Sequence, residues 1–176
     1  YHNLDTNVDE KIKSGVFSAP TWHENGKIIY YSKKSKFPNK NGSKFYDIYS
    51  YDLDTEKEER LTIDKRAYNP VYIANDSTIA YIATYDGGQD IYIFDLRSKK
   101  SEKVTEFTDR PMISYLTHDS TNNKLYFDIT TNHFRDIYSF NLNNNKLAIV
   151  ADANSFDERN ITTGQPGVTI HSQDKS

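Results

Sequence analysis

Asp47-Ile-Tyr-Ser-Tyr-Asp-Leu53, Asp90-Ile-Tyr-Ile-Phe-Asp-Leu96 and Asp136-Ile-Tyr-Ser-Phe-Asn-Leu142 are three versions of one heptapeptide. They begin 43 and 46 residues apart, and a trace of the same phrase, Asn3-Leu4-Asp5-Thr6, stands near the start of the chain. Each copy is short, rich in isoleucine and aromatic residues, and closed by a turn-forming Asp or Asn, which reads as a β-strand. A strand that recurs every forty-odd residues has the period of a four-stranded propeller blade.

The residues around each copy supply the other three strands. In the second repeat, residues 69–74, 78–84 and 101–106 read as strands, separated by the turns Asn75-Asp76-Ser77 and Asp86-Gly87-Gly88. In the first repeat, residues 19–22, 27–31 and 59–62 play these parts. Its Asn25-Gly26 between two apolar runs is a strong hairpin signal, because both residues accept left-handed backbone. In the third repeat the strands are residues 112–116, 124–127 and 146–150. The predicted blades are therefore 17–62, 67–106 and 111–150, in one domain over 1–176. Partial blades are expected at 1–16, the end of a third strand with a fourth, and at 157–172, a first strand with a second. No window carries a helical apolar stripe, so the fold class is all-β: about three full blades of four antiparallel strands. Trp22, Tyr30, Ile48, Ile79, Tyr81 and Phe127 belong to the predicted core. The phase of the two partial blades leads us to expect further blades of the same polypeptide, in a ring of six or more.

Composition narrows the function. The 176 residues are 36% hydrophobic, 14% aromatic and 27% charged, with a net charge of −3. That balance excludes a strongly basic nucleic-acid binder. The absence of cysteine excludes disulfides, thiolate catalysis and Cys-ligated zinc. No apolar run approaches the roughly 20 residues that span a bilayer as a helix, so no membrane insertion is expected of this segment. Fourteen tyrosines and nine phenylalanines provide the buryable surface that a disordered polypeptide lacks.

Pro20-Thr-Trp22-His-Glu-Asn25-Gly26-Lys27, then Asp47-Ile48-Tyr49-Ser-Tyr-Asp52, then Glu59-Arg60-Leu61-Thr62 resembles the TolB-like propeller repeat. The second copy keeps Asp90-Ile-Tyr-Ile-Phe-Asp95 and Val104-Thr105. The third departs from the pattern with Asn141 at the strand-closing position. The resemblance covers nearly the whole chain, and it is specific for the repeat rather than for one activity. It implies a non-catalytic binding or scaffold propeller of the bacterial periplasm or cell surface, with a protein or glycan partner and no cofactor. The alternative it implies is the gating propeller of a prolyl-oligopeptidase-like or tricorn-like peptidase.

The residues themselves yield no catalytic set. The repeated aspartates of Asp-Ile-Tyr read as structural acceptors, because one carboxylate at the same place in every blade serves the repeat rather than a single reaction. His23-Glu24 lacks the second histidine of a zinc helix, and no Gly-x-Ser-x-Gly elbow or phosphate loop is present. His23 and His118 read as loop residues. One asymmetry remains. The loops joining strands two to three and four to one share one rim of a propeller, and there the sequence places Lys65, Arg66, Arg110, His133, Arg135 and Arg159. Arginine is enriched at interfaces and lysine depleted. These residues are the candidate partner-binding set, and pairing with aspartates of neighbouring blades is an equally open reading. No metal-binding or catalytic residue is assigned.

Overall fold

The computed structural model describes residues 2–3, 5–131, 134–151, 156–164 and 167–174. Three four-stranded antiparallel sheets follow one another along the chain. The first holds β3 (Thr21–Trp22), β4 (Ile28–Lys34), β5 (Tyr46–Asp52) and β6 (Glu58–Arg60). The second holds β7 (Ala67–Ile73), β8 (Thr78–Tyr85), β9 (Gly88–Asp95) and β10 (Lys100–Lys103). The third holds β11 (Met112–Asp119), β12 (Lys124–Thr131), β13 (Phe134–Asn141) and β14 (Lys146–Ala151). Two hairpins flank them: β1 (His2–Asn3) with β2 (Val8–Asp9), and β15 (Phe156–Gly164) with β16 (Gly167–Asp174). They form separate sheets and do not pair with each other. The only helical element among the described residues is one 3-10 turn, Ala74–Asp76, at the expected tight turn of the second repeat.

Each strand sits beside its sequence neighbour, so every sheet is a meander. The apolar pattern then decides how the sheets stack. Along β8, Ile79, Tyr81 and Ala83 enter one core with Tyr30, Ile48 and Phe94. The alternate residues Ala80 and Ile82 enter the other, with Ile91, Leu125 and Phe127. A strand covered on both faces reads as a continuous apolar run, and Thr78–Tyr85 reads that way because the first and third sheets cover it. Tyr81 and Phe127 are fully buried; burying a side chain of that size stabilises by about 1.5–3 kcal/mol.

The heptapeptide explains the repeat's outer hairpin. Asp52 Oδ1 accepts the N–H groups of Asp54 and Thr55, both at 2.9 Å. Asp95 Oδ1 accepts those of Arg97 and Ser98, Asn141 Oδ1 that of Asn143, and Asn3 Oδ1 those of Asp5 and Thr6. This is the side-chain-to-backbone turn that Asp and Asn favour. The leucine that follows donates its N–H to the start of the second strand: Leu53 to Lys27 O, Leu96 to Ser77 O and Leu142 to Asn123 O.

Three strands carry a bulge at the same place in the repeat. The register shifts between Tyr68 and Val71, between Ile113 and Leu116, and between Arg159 and Thr162. The bulged residues link neighbouring blades: Asn69 N–H donates to Ser18 Oγ at 2.9 Å, and Asn69 Nδ2 to Ser114 O at 2.5 Å.

Trp22 differs from expectation, being 41% exposed. Its counterpart Tyr72 is buried against Tyr30 and His23 of the preceding blade. Trp22 pairs with Ile29, on the side of the first sheet that meets Ile12 rather than a further full blade among the described residues.

Candidate functional site

The repeated aspartates do structural work. Asp47 is fully buried. Its Oδ1 accepts from Thr62 Oγ1 at 2.8 Å and Lys65 N at 3.0 Å. Its Oδ2 accepts from Arg60 Nη2 at 2.6 Å and Asp64 N at 3.0 Å. Thr62 Oγ1 in turn accepts the N–H of Ile48. Asp90 repeats the arrangement with Thr105 Oγ1 and Phe107 N, and Ile91 N–H donates to Thr105 Oγ1. A carboxylate that meets several donors in the interior is a fixed part of the fold. Its product is a loop, residues 63–66, held rigidly on the rim.

That rim, formed by the loops between strands two and three and between strands four and one, bears two of the predicted arginines. Arg66 is exposed, adopts φ 52°, and stacks its guanidinium 4.4 Å over the Phe45 ring of the preceding loop. Arg110 is exposed at φ 49° and lies across the Gly87-Gly88 turn; a Cβ on Gly88 would stand 3.4 Å from its Cγ. Its Nη2 is 3.7 Å from Asp86 Oδ2, a loose and exposed pair. Lys65 is exposed beside Arg66.

Arg135 and Arg159 were expected in loops, and the structure puts both in strands. Arg135 lies in β13 and turns inward, with Nη1 3.3 Å from Oδ2 of the buried Asp128. Asp128 Oδ1 accepts the bulged N–H groups of Ser114 and Tyr115, so this arginine braces the inner strand rather than facing a partner. Arg159 lies in β15 opposite His171, and nothing further is described of its side chain. His133 lies outside the described residues.

Sequence reasoning missed the apolar members of the same rim. Phe37 is 74% exposed, Ile63 68%, Tyr85 80% and Met112 62%. Phe37 and Ile63 lie in the loops of that rim, while Tyr85, the last residue of β8, and Met112, the first of β11, flank its loops. Among the described residues, no exposed large apolar side chain lies in the turns of the opposite rim. Phe37, Ile63 and Tyr85 lie outside the predicted strands, whereas Met112 opens one of them, residues 112–116.

Two further features complete the geometry. The inner strands enclose an open hollow of about 600 Å³ lined by Phe17, Thr21, Tyr68, Asn69, Ser114 and Tyr115. The histidines read as loop residues are half-buried. His23 Nδ1 accepts the Asn25 N–H, its Nε2 meets Tyr72 Oη at 3.1 Å, and His118 Nε2 meets Asn123 Oδ1 at 3.2 Å. Among the described residues no three His, Asp or Glu side chains converge as metal ligands.

No family model matches the chain. Over 50 residues, 28% of this chain, it is 48% identical to the Tol-Pal system protein TolB of Ruthia magnifica subsp. Calyptogena magnifica, covering 10% of that protein. The fold is similar to that of a putative TolB from Agrobacterium tumefaciens, with TM-score 0.71 at 17% identity over 86% of this chain and 52% of that one. TolB from Acinetobacter baumannii gives 0.68 at 16%, over 98% and 45%. A prolyl endopeptidase structure gives 0.70 at 10%, over 98% of this chain and 28% of that one. The chain thus spans about half the length of the solved TolB structures it matches. The periodic heptapeptide, the meandering blades and these likenesses agree on the fold: the chain is built of β-propeller blades, and it is similar to TolB.

Proposed function

We propose that this chain is part of a non-catalytic binding propeller of the bacterial cell envelope, most simply the periplasm, and that its arginine-bearing rim holds a protein partner. The observation that carries the reading is that Phe37, Ile63, Tyr85 and Met112, each more than 60% exposed, lie in or at the ends of the loops of the rim that bears Arg66 and Arg110. Aromatic residues, methionine and arginine are the types enriched at protein interfaces. The partner's chemistry follows from charge. Lys34, Lys36, Lys40, Lys44 and Lys65 are exposed around Arg66, while Asp64 of that rim is paired with Arg60. The complementary surface is acidic with apolar projections. No observation favours a glycan over a protein.

The envelope compartment is supported by the TolB-like segment, since that relative is a Tol-Pal system protein. The peptidase reading has only a shared fold behind it, because the prolyl endopeptidase likeness stands at 10% identity. The test is a binding titration against the partner captured from envelope extracts. Arg66→Ala and Tyr85→Ala should each weaken binding about tenfold or more, the cost of an interface anchor. Asn144→Ala on the opposite rim should leave it unchanged. Loss with Asn144→Ala and none with the other two would overturn the assignment.

A further inference from the structure

Two Asn-Gly pairs occur in the sequence, Asn25-Gly26 and Asn41-Gly42, and the structure gives them different surroundings. We infer that Asn41 is a site of spontaneous deamidation in the folded protein and that Asn25 is protected. The backbone nitrogen of Gly42 attacks Cγ of Asn41 and forms a new C–N bond. The bond from Cγ to the amide nitrogen Nδ2 breaks, and ammonia leaves carrying the proton released by the Gly42 nitrogen. Water then opens the succinimide at either carbonyl, giving aspartate or isoaspartate. Glycine permits the approach because it has no side group to obstruct the attacking nitrogen.

The two turns share a backbone. Gly26 N–H donates to His23 O and Gly42 N–H to Asn39 O, both at 3.0 Å, with glycine φ of 69° and 77°. The carboxamides differ. Asn25 Oδ1 accepts the Lys27 N–H at 2.9 Å, which ties its Cγ to Lys27 rather than leaving it free to meet the Gly26 nitrogen. Both turns are closed by a further backbone bond, His23 N–H to Ile28 O and Asn39 N–H to Ser43 O, each at 2.8 Å, so the carboxamide is what sets them apart. The exposed Asn41 carboxamide has no hydrogen-bond partner among the described residues. Its turn is held by Asn39, whose Oδ1 accepts the N–H groups of Asn41 and Ser43, so the Asn41 carboxamide rotates without breaking a bond.

Charge acts in the same direction. Lys40 and Lys44 flank Asn41. Nearby cations favour the anionic amide nitrogen and the oxyanion of the tetrahedral intermediate. Asn25 follows Glu24, and Lys27 is engaged by Asp54 at 2.5 Å. The product places a carboxylate in the lysine-rich loop of the partner-binding rim, so the modification lowers that rim's positive charge as the protein ages. The chemistry itself is independent of the binding assignment.

The wild-type protein is incubated in mildly alkaline buffer and sampled over time. Peptide mapping by mass spectrometry is joined to isoaspartyl methyltransferase labelling. Asn41 should convert about ten times faster than Asn25, a barrier difference of about 1.4 kcal/mol, and the two rates should converge in urea. Equal rates in the folded protein, a faster Asn25, or an Asn41 that converts only in urea would each overturn the inference.

Discussion

The two rims of the propeller use the same kinds of residue differently. On the rim formed by the turns of strands one–two and three–four, the polar groups satisfy their own backbone. Asp52, Asp95 and Asn141 close their hairpins, Asp119 accepts from Thr121 and Asn122, and Asn123 Nδ2 meets Asn143 Oδ1. On the other rim the buried Asp47 and the half-buried Asp90 fix the loops from below. Phe37, Ile63, Arg66 and Arg110 in those loops, and Tyr85 and Met112 at the strand ends that flank them, are exposed. Turn chemistry that is complete within the fold leaves little to offer a partner; loops anchored beneath keep their outer residues available.

The comparison is broken most severely from the core on which both rims depend. Phe127→Ala should cost about 3–5 kcal/mol, the range for a buried aromatic, and disturb both rims together in a denaturant titration. Asp47→Ala strips a buried carboxylate from Arg60, Thr62 and two backbone amides. A loss of about 2–4 kcal/mol is expected from those stranded donors, with the Lys65–Arg66 loop losing amide-exchange protection while the opposite turns keep theirs. Asp52→Ala removes a hairpin-closing acceptor on the turn rim and should cost less than Asp47→Ala, because the group is open to water, with the protection pattern reversed.

Acid sharpens the contrast. Backbone hydrogen bonds from Thr55 and from Ser98 and Arg97 hold the Asp52 and Asp95 carboxyls below their usual range, and the hydrogen bond from Asn122 does the same for Asp119. A carboxylate depressed in the folded state contributes stability above its unfolded pKa and loses it as pH falls through the folded value. The turn rim should therefore loosen only below about pH 4, which NMR titration of these aspartate carboxyls would follow. The smallest effect on stability belongs to the proposed interface: Arg66→Ala and Arg110→Ala should each stay within about 0.5 kcal/mol by thermal unfolding. A larger loss from either would show that the arginine is structural.

The repeats were legible because a blade must place the same residues at the same points of its sheet. Asp47, Asp52, Leu53 and Thr62 each make a contact that recurs in the second blade. Departures from the repeat were not legible. Arg135 reads as a loop residue, and only the identity of Asp128, at a place where the first and second blades have Ser32 and Ile82, draws it inward. Trp22 fits the apolar pattern, but which flank of a blade meets another sheet is set by stacking order. Phe37, Ile63 and Tyr85 were passed over because strand patterns locate the core and give no account of apolar residues outside it, and Met112 because it opens a predicted strand.

Site-specific photo-crosslinking in the native envelope tests the central claim most directly. A photoreactive residue is placed at Tyr85 or Met112 on one rim and at Ser98 or Asn144 on the other. The account predicts the same discrete crosslinked protein from Tyr85 and Met112 and none from Ser98 or Asn144. A discrete crosslink from Ser98 and Asn144, with Tyr85 and Met112 silent, would contradict it.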